Sequence, residues 1–331
     1  MKIYISFKIA STAAGGGNNF LKFLKSIWFK YELLAKNVKE ADVVLINSHH
    51  NILKNFIIKF VYPNKIYVHR INGKLSLHRA SKNWDKLILI QNNLIANATI
   101  FQSKWSESIW ATHLKSKKSI VIHNQCDPLI FKYDAKKNIN NKKIYIFYTF
   151  SNNKNKGHSF LNWLTLNSAN LNIELRIIGN HKLVGNKISQ LQIAKQLAEA
   201  DVLFFPAENE SCSNVIIESL SVGLPVLALN SGGNSELVKN RGQLFSRIDE
   251  IPIKIKDIEN NYKEYAKNAR IFTEENKAAY FYEQYFKELL DLQSEMQFYK
   301  KKLDRFKLIF PLIQVLWIFI IIKLDSFKKL N

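Results

Sequence analysis

Two glutamates, Glu210 and Glu218, are the side chains in this sequence whose type and spacing are best suited to chemistry. In one continuous helix they would be separated by about 80° of rotation and about 12 Å of rise, so they would not converge. The pattern predicts instead a loop at Glu210 and a helix around Glu218. In that arrangement the two acids line one crevice, one at each end of an elongated ligand.

Backbone amides at the start of this helix would lie between the two glutamates. They belong to Ser213, Asn214 and Val215, and the first amides of a helix have no partner inside it and attract anions. A hydroxyl-rich ligand with a central diphosphate would fit, and a nucleotide sugar has that form. The alternative is a solvated acid pair that caps the helix.

The elements that must position these residues follow the order strand, loop, helix, strand. Residues 201–206 form a short apolar run closed by proline, which predicts a buried parallel strand. Residues 213–222 have helical spacing and stop at Gly223, and residues 224–229 predict a second buried strand before a turn at 231–233. This order is typical of a βαβ unit in an α/β protein.

With these elements in place, the segment resembles a known enzyme family. Glu210-Ser-Cys-Ser-Asn-Val-Ile-Ile-Glu218, followed by Gly223-Leu-Pro and Gly232-Gly233, resembles the E-x7-E signature of the retaining glycosyltransferases of family 4, the group 1 glycosyltransferases. The resemblance implies the α/β GT-B fold, in which two Rossmann-like domains face each other across a cleft. It also implies that Glu210 contacts the donor sugar and that Glu218 accepts hydrogen bonds from ribose hydroxyls.

The same resemblance extends in part to a lysine that would stabilise the leaving diphosphate. Lys156-Gly157 matches the end of the family's Arg-x4-Lys-Gly element, but Ser151 stands at the arginine position. Phosphate charge would then be met by Lys156, as a catalytic group, together with Lys154 or Arg70. The alternative is that Lys156 is an ordinary solvated charge. Gly179-Asn180 lies where family members hold the nucleobase.

Three further segments are candidates in the N-terminal part of the chain. Gly16 and Gly17 belong to a glycine-rich loop that by resemblance lies near the donor phosphates or the acceptor; the alternative is a plain flexible turn. His69, after a predicted strand, is by resemblance a catalytic residue that reaches the donor sugar, although a lone histidine is more often structural. Asn124 lies in a segment that resembles V-I-x-N-G-V-D, with Gln125 and Cys126 in place of Gly and Val.

Length and charge limit the possible classes of protein. A chain of 331 residues predicts about two domains, which we place at residues 1–132 on the acceptor side and 144–261 on the donor side. A polar linker at 133–143 separates them, and a helix over 262–292, either continuous or interrupted near Thr273, returns by resemblance to the first domain. A net charge of +21 indicates an acidic partner such as a nucleotide, an anionic lipid or a nucleic acid.

Neither a metal site nor a disulfide framework is expected. Cys126 and Cys212 are the two cysteines and lie far apart in sequence, so we infer neither a disulfide framework nor a zinc site. No D-x-D motif is positioned to bring a metal to the diphosphate, so we expect no metal and no cofactor. The first residues lack the long apolar run of a secretory signal, and we expect a cytoplasmic protein.

The C-terminal tail, residues 293–331, predicts membrane association. Its apolar run at 308–322 would reach about 22 Å as a helix, which is short of the roughly 30 Å hydrocarbon core. Eight basic and three acidic residues accompany it, so the tail combines an apolar helix with basic flanks, as in a peripheral anchor. The alternative is a last helix that packs on the protein or on a partner subunit.

These features predict a retaining hexosyltransferase at the inner face of the cell membrane. Its acceptor would be a lipid-linked glycan or an oligosaccharide, as in bacterial-type surface polysaccharide or lipopolysaccharide synthesis. Alternatives are a sugar-nucleotide epimerase or phosphorylase on the same fold, or a non-catalytic basic protein. A nucleic-acid-binding protein would leave Glu210 and Glu218 without a purpose, so we expect no nucleic-acid partner.

Overall fold

The computed structural model describes residues 1–9, 16–77, 83–114, 118–132, 143–149, 153–178, 188–296, 313–318 and 320–321. The chain divides into two compact units. Unit 1 contains Met1–Ile9, Leu24–Ile122 and Ala279–Asn331, and unit 2 contains Ala10–Phe23 and His123–Ala278. Each unit is built on one five-stranded sheet. The predicted linker lies outside the described residues except for Lys143, which begins a strand.

Strands and helices alternate along most of the chain. The strands are β1 (Ile3–Ser6), β2 (Val43–Asn47), β3 (Ile66–Ile71), β4 (Ala98–Phe101), β5 (Lys118–Val121), β6 (Lys143–Tyr148), β7 (Ile173–Ile178), β8 (Val202–Phe205), β9 (Val226–Leu229) and β10 (Gly242–Phe245). The helices are α1 (Gly16–Lys30), α2 (Ile52–Val61), α3 (Asn83–Ile95), α4 (Lys104–Ala111), α5 (His158–Asn167), α6 (Gln190–Glu199), α7 (Asn214–Ser221), α8 (Asn234–Val238), α9 (Ile251–Asn260), α10 (Tyr262–Glu275) and α11 (Ala278–Met296).

Unit 1 has a parallel sheet in which the strands follow one another in chain order, β1-β2-β3-β4-β5. All five residues of β2 and all six of β3 are buried, as expected for parallel strands covered on both faces. On α1, Trp28 is fully buried, and its ring lies 6.2 Å from that of Tyr282 and 5.9 Å from that of Phe286 on α11. Unit 1 therefore includes helices from both ends of the chain.

Unit 2 has a parallel sheet with the order β10-β9-β8-β6-β7. The order reverses between β6 and β8, because the chain builds β7 on one side of β6 and then β8 on the other. Residues of β6 alternate between two apolar clusters: Ile144, Ile146 and Tyr148 enter one, and Tyr145 and Phe147 enter the other. In open α/β sheets such a reversal leaves a crevice at the strands' carboxyl ends, where ligands bind.

The C-terminal part differs in detail from the prediction. The helix expected over 262–292, either continuous or interrupted near Thr273, is two helices, α10 and α11, separated at Asn276 and Lys277. In the tail, residues 313–318 and 320–321 are helical, and Val315 is buried in the apolar cluster of unit 1 that contains Ile52 and Phe56 of α2. Within the described ranges, no helix is both long enough and apolar enough to cross a membrane.

Candidate functional site

Two loops at the carboxyl edge of the unit 2 sheet are held together by their backbones. One precedes α5 and the other follows β8. Gly157 has a left-handed φ of 72°, and a Cβ atom there would lie 2.2 Å from the carbonyl oxygen of Pro206. The amide of Glu208 donates to the carbonyl of Asn155 at 2.8 Å. Glycine is therefore required at 157, since any side chain would push the loops apart.

This packing brings together the predicted catalytic residues of unit 2. The Nζ atom of Lys156 forms an ion pair with Oε1 of Glu210, and both side chains are about three-quarters buried. Lys154 lies in the same short 3-10 turn as Lys156. Partial burial strengthens the attraction between opposite charges relative to a pair in water. The pair therefore holds Lys156 and Glu210 together near the reversal of strand order.

The backbone of Glu210 is fixed by the turn after β9. Gly232 has φ of 63°, and a Cβ atom there would lie 2.4 Å from the carbonyl oxygen of Glu210. That carbonyl accepts a hydrogen bond from the amide of Gly233 at 2.7 Å, and Ser231 Oγ accepts one from the amide of Asn209 at 3.0 Å. Gly232 of the predicted motif thus allows a close approach to Glu210 that a side chain would prevent.

Helix α7 begins beside this loop, as the sequence predicts. Ser213 caps it, with its Oγ accepting from the amide of Ile216 at 3.4 Å. The side chain of Asn214 accepts from Asn124 Nδ2 at 2.9 Å and donates to the carbonyl of Gly16 at 2.8 Å. The predicted residues Gly16, Asn124 and Asn214 are therefore in contact within unit 2. Val215 packs against the apolar core.

Glu218 is a carboxyl group that the fold of unit 2 encloses. Its residue is 3% exposed, and its Oε2 atom has no hydrogen-bond partner among the described residues. Burial raises the pKa of Glu218 to about 8, and a hydrogen bond with Tyr148 opposes this rise only in part. Buried polar oxygens are normally satisfied. The fold therefore leaves one carboxyl oxygen of Glu218 enclosed and unsatisfied beside Tyr148, at the carboxyl end of β6.

Tyr148 is a residue that sequence reasoning missed. It ends β6, is buried, and hydrogen-bonds to Glu218. Burial, and secondarily Glu218, raises the pKa of its hydroxyl well above the ordinary value. In sequence, Tyr148 is one more apolar residue of a buried strand. Its role becomes visible only through the neighbour that the fold gives it.

His69 and Arg70 are both fully buried in unit 1. His69 Nε2 lies 2.8 Å from the carbonyl oxygen of Ser48, and Nδ1 lies 3.3 Å from Asn92 Nδ2. Arg70 donates from Nη1 to Asn47 Oδ1 at 2.7 Å. The ring of His69 is therefore enclosed with both nitrogens engaged, and its contact with the donor stays a prediction. The geometry favours the structural alternative for His69.

The other predicted positions differ in what surrounds them. Gly16 and Gly17 start helix α1 and do not lie in a loop before it. A Cβ atom at Gly17 would have no heavy atom within 4 Å, so the conformation and the space both allow other residues. Gly179 and Asn180 lie outside the described residues. Clusters of three or more His, Cys, Asp or Glu side chains suited to a metal do not occur within the described ranges.

Five of the site residues lie in one segment that matches a known protein family. They are Glu210, Ser213, Asn214, Val215 and Glu218. Residues 165–275 match the family Glycosyl transferases group 1. This group 1 segment covers β7 to α10 and therefore most of unit 2, but it contains neither Lys156 nor any residue of unit 1. No curated protein shows significant sequence similarity to the chain.

Solved structures of glycosyltransferases share the fold across most of the chain. Anabaena Alr3699/HepE in complex with UDP has a TM-score of 0.65 at 16% identity, covering 88% of this chain and 100% of that one. Sucrose-phosphate synthase from Thermosynechococcus elongatus has a TM-score of 0.58 at 16% identity, covering 86% and 82%. A glycosyltransferase from Rickettsia africae has a TM-score of 0.55 at 15% identity, covering 89% and 85%. The two parallel-sheet α/β units thus match GT-B glycosyltransferases.

Proposed function

We propose that this protein is a retaining glycosyltransferase of family 4 that transfers a sugar from a nucleotide-diphosphate sugar to a glycan acceptor. The observation that carries the proposal is the buried carboxyl of Glu218, which has an unsatisfied oxygen within the group 1 segment. Two adjacent hydroxyl groups of a ribose would donate to such a carboxylate. The Anabaena relative, solved with UDP and with UDP-glucose, makes a uridine nucleotide the first donor to test.

The ion pair of Lys156 and Glu210 supports separate roles for these two residues at the reacting end of the donor. Departure of a nucleotide diphosphate leaves positive character on the sugar and negative charge on phosphate, so catalysis requires stabilisation of the departing group. Lys156 would bind the phosphate, together with Lys154 and the amides of Ser213, Asn214 and Val215. Glu210 would bind hydroxyl groups of the sugar, and the reaction would require no metal.

The nearby asparagines would hold this arrangement in place. Asn214 and Asn124 bond to each other, and Asn124 also accepts at its carbonyl from Asn276 Nδ2 at 2.7 Å. These contacts fix the start of α7, whose amides would face the diphosphate. Gly16 joins the same cluster through its carbonyl. Gly179 and Asn180 are proposed to hold the nucleobase on the resemblance alone.

The acceptor is proposed to be a lipid-linked glycan reached from the inner face of the cell membrane. Support comes from exposed apolar side chains on α2 and the tail helix, which share one core cluster of unit 1. We define the apolar face by these exposed residues: Ile57, Phe60, Val61, Ile313, Leu316 and Trp317. Apolar side chains combined with a net charge of +21 suit an anionic bilayer surface. Such an acceptor fits surface polysaccharide or lipopolysaccharide synthesis.

A donor panel tests the central proposal. Thermal unfolding of the whole protein should shift upward with one class among UDP-, ADP- and GDP-sugars, since a ligand at 100 times its Kd stabilises the native state by about 2.7 kcal/mol. The shift should shrink in Glu218→Gln and persist in Glu199→Gln, an exposed control in the same unit. Equal shifts in both variants would remove Glu218 from the donor site. Anomeric coupling constants of the product, measured by NMR, would report retention or inversion.

A metal requirement is tested in a sugar-transfer assay. Transfer with the selected donor should continue at an unchanged rate after treatment with EDTA, because Lys156 and the helix amides supply the positive potential. Restoration of lost activity by Mg²⁺ or Mn²⁺ would contradict this part of the proposal. An epimerase or phosphorylase would be recognised by its products, which contain an isomerised nucleotide sugar or a sugar phosphate and no new glycosidic bond to the acceptor.

A further inference from the structure

Strand β7 lies at one edge of the unit 2 sheet, and we call its outer side the β7 edge. Among the described strands its neighbour is β6, with an unbroken parallel register from Lys143 opposite Ile173 to Tyr148 opposite Ile178. Bulges, prolines and lysines are among the features that keep edge strands from pairing with other chains. The strand, with the sequence IELRII, has none of these.

An edge of the unit 1 sheet, by contrast, is covered by its own chain. The amide of Ile3 on β1 donates to the carbonyl of Leu33 at 2.7 Å, and the carbonyl of Ile3 accepts from the amide of Ala35 at 2.8 Å. At the β7 edge, Leu175 is half-buried and Ile177 is 39% exposed. An edge strand with exposed apolar side chains is a template on which another strand can pair.

One hydrogen bond shows which backbone groups of β7 face outward. The carbonyl of Ile178 accepts from the amide of Thr149, the residue after β6, at 3.1 Å, so the backbone groups of Ile178 face β6. Backbone groups of successive residues in a strand point to opposite edges. Those of Leu175 and Ile177 therefore point away from β6, as does the carbonyl of Ile173.

The charged residues of β7 would complement those of a second, antiparallel β7. With Leu175 opposite Leu175 of the second copy, the outward residues meet in hydrogen-bonded pairs. Glu174 then lies opposite Arg176 in a pair without backbone bonds, where side chains are closest. A shift of two residues in either direction would instead place Glu174 opposite Glu174 or Arg176 opposite Arg176. Opposite charges across strands stabilise pairing and like charges destabilise it, so the sequence selects one register.

The charged side chains are accessible to a second copy. Arg176 Nε donates to Glu174 Oε1 at 2.7 Å, and Arg176 Nη1 lies 3.7 Å from Glu199 Oε2 on α6. The side chain of Arg176 is 37% exposed and that of Glu174 is 48% exposed. Exposed pairs of this kind contribute little to the stability of a single chain. A guanidinium has five N–H donors, so Arg176 can also donate to Glu174 of a second copy.

Apolar side chains would extend the contact on the face of β7 that packs on α5. Ile173 belongs to the apolar cluster that β7 shares with α5, and Trp163, Leu171 and Leu175 pack against this cluster while remaining half-buried. Ile177 lies on the same face, because side chains alternate along a strand. A contact of this kind is smaller than the roughly 1,600 Å² of a standard interface, so the pairing should be reversible.

We propose that the β7 edge binds the β7 edge of a second copy of this chain and joins two five-stranded sheets into one continuous sheet. Backbone hydrogen bonds would form between the two Leu175 residues and from each Ile177 amide to the Ile173 carbonyl opposite. Such bonds supply the affinity in strand addition, and side chains supply the specificity. The amide of Ile173 is already used, since it donates to the carbonyl of Ser168 at 3.0 Å.

Sedimentation velocity of the full chain over a range of concentrations tests this inference. The parent should pass from the 38.5 kDa of one chain to twice that mass, with a dissociation constant in the micromolar range. Glu174→Arg and Arg176→Glu each place like charges opposite one another, so each should raise the dissociation constant by about tenfold. Ile253→Lys, at an isoleucine 71% exposed on α9 of the same unit, should leave the dissociation constant unchanged.

An equimolar mixture of the two charge-reversal variants tests the register itself. In the mixed pair, opposite charges face each other again at both positions, so Glu174→Arg and Arg176→Glu together should dimerise about as tightly as the parent. This recovery would also exclude misfolding as the cause of the loss in each variant alone. A parent that stays monomeric, a dimer that both reversals leave unchanged, or a mixture that binds no more tightly than its components would overturn the inference. These measurements use no nucleotide sugar and are therefore independent of the proposed function.

Discussion

The buried carboxyl of Glu218 should make the stability of unit 2 depend on pH. Its pKa is about 8 in the folded protein against an ordinary value of 4.5. Below pH 4.5 the group is protonated in both the folded and the unfolded chain. Between pH 4.5 and 8 the unfolded chain releases this proton and the folded chain keeps it, so stability falls as pH rises. Above pH 8 this loss of stability is complete.

The perturbation is Glu218→Gln, which keeps the shape of the side chain and removes the titration. One pKa unit corresponds to about 1.4 kcal/mol. Between pH 5.5 and 8.5 the free energy of unfolding of the parent should therefore fall by about 3 kcal/mol relative to that of the variant. For a domain of this size that difference corresponds to roughly 5–10 °C in Tm. We expect the Tm of the variant to rise relative to that of the parent as pH increases. At pH 8.5 the variant should be the more stable protein.

Thermal unfolding of the parent, Glu218→Gln and Glu199→Gln at pH 5.5, 7 and 8.5 measures the effect. Glu199 is exposed, with 52% of its side chain accessible, so its variant should follow the parent at every pH. Parallel pH profiles for the parent and Glu218→Gln would refute the reasoning. A further consequence concerns UDP: hydroxyl donors favour the carboxylate, so binding should release a proton and the affinity of the parent should rise between pH 6 and 8.

Three further predictions concern other parts of the structure. Glu210→Ala should lower turnover at least tenfold with UDP affinity changed less than threefold, because its proposed contacts are to the sugar; a fully active variant in a transfer assay would contradict this. His69→Leu removes a buried bond to the Ser48 carbonyl, so it should lower the free energy of unfolding by about 1–3 kcal/mol, and His69→Gln should restore part of the loss; an unchanged Tm of His69→Leu in thermal unfolding would contradict this. Leu316→Asp with Trp317→Asp should release the protein from anionic vesicles in a sedimentation assay, whereas Leu166→Asp, at a leucine 83% exposed in unit 2, should leave binding intact; continued pelleting of the double variant would show that the apolar face is not the anchor.

Local sequence signals were sufficient for the elements of the unit 2 site. Apolar runs closed by Pro206 and preceded by Gly223 indicate strands β8 and β9, because continuous apolar residues suit strands buried on both faces. Ser213 signals the start of α7 through its capping oxygen. The spacing of Glu210 and Glu218, one before the helix and one inside it, follows directly. These features depend on neighbours within a few residues, so the sequence alone determined them.

The tertiary structure decided which of these side chains meet and what surrounds each one. The pairing of β6 with β8 joins segments far apart in the chain, and this pairing brings Lys156 to Glu210 and Tyr148 to Glu218. Sequence also predicted ligand contact for His69, but the fold encloses it and aligns it with Ser48. The spacing of apolar residues in a sequence indicates which residues are buried and which are exposed. The partners of a buried polar group depend instead on strand order and on loops that approach each other in the folded protein.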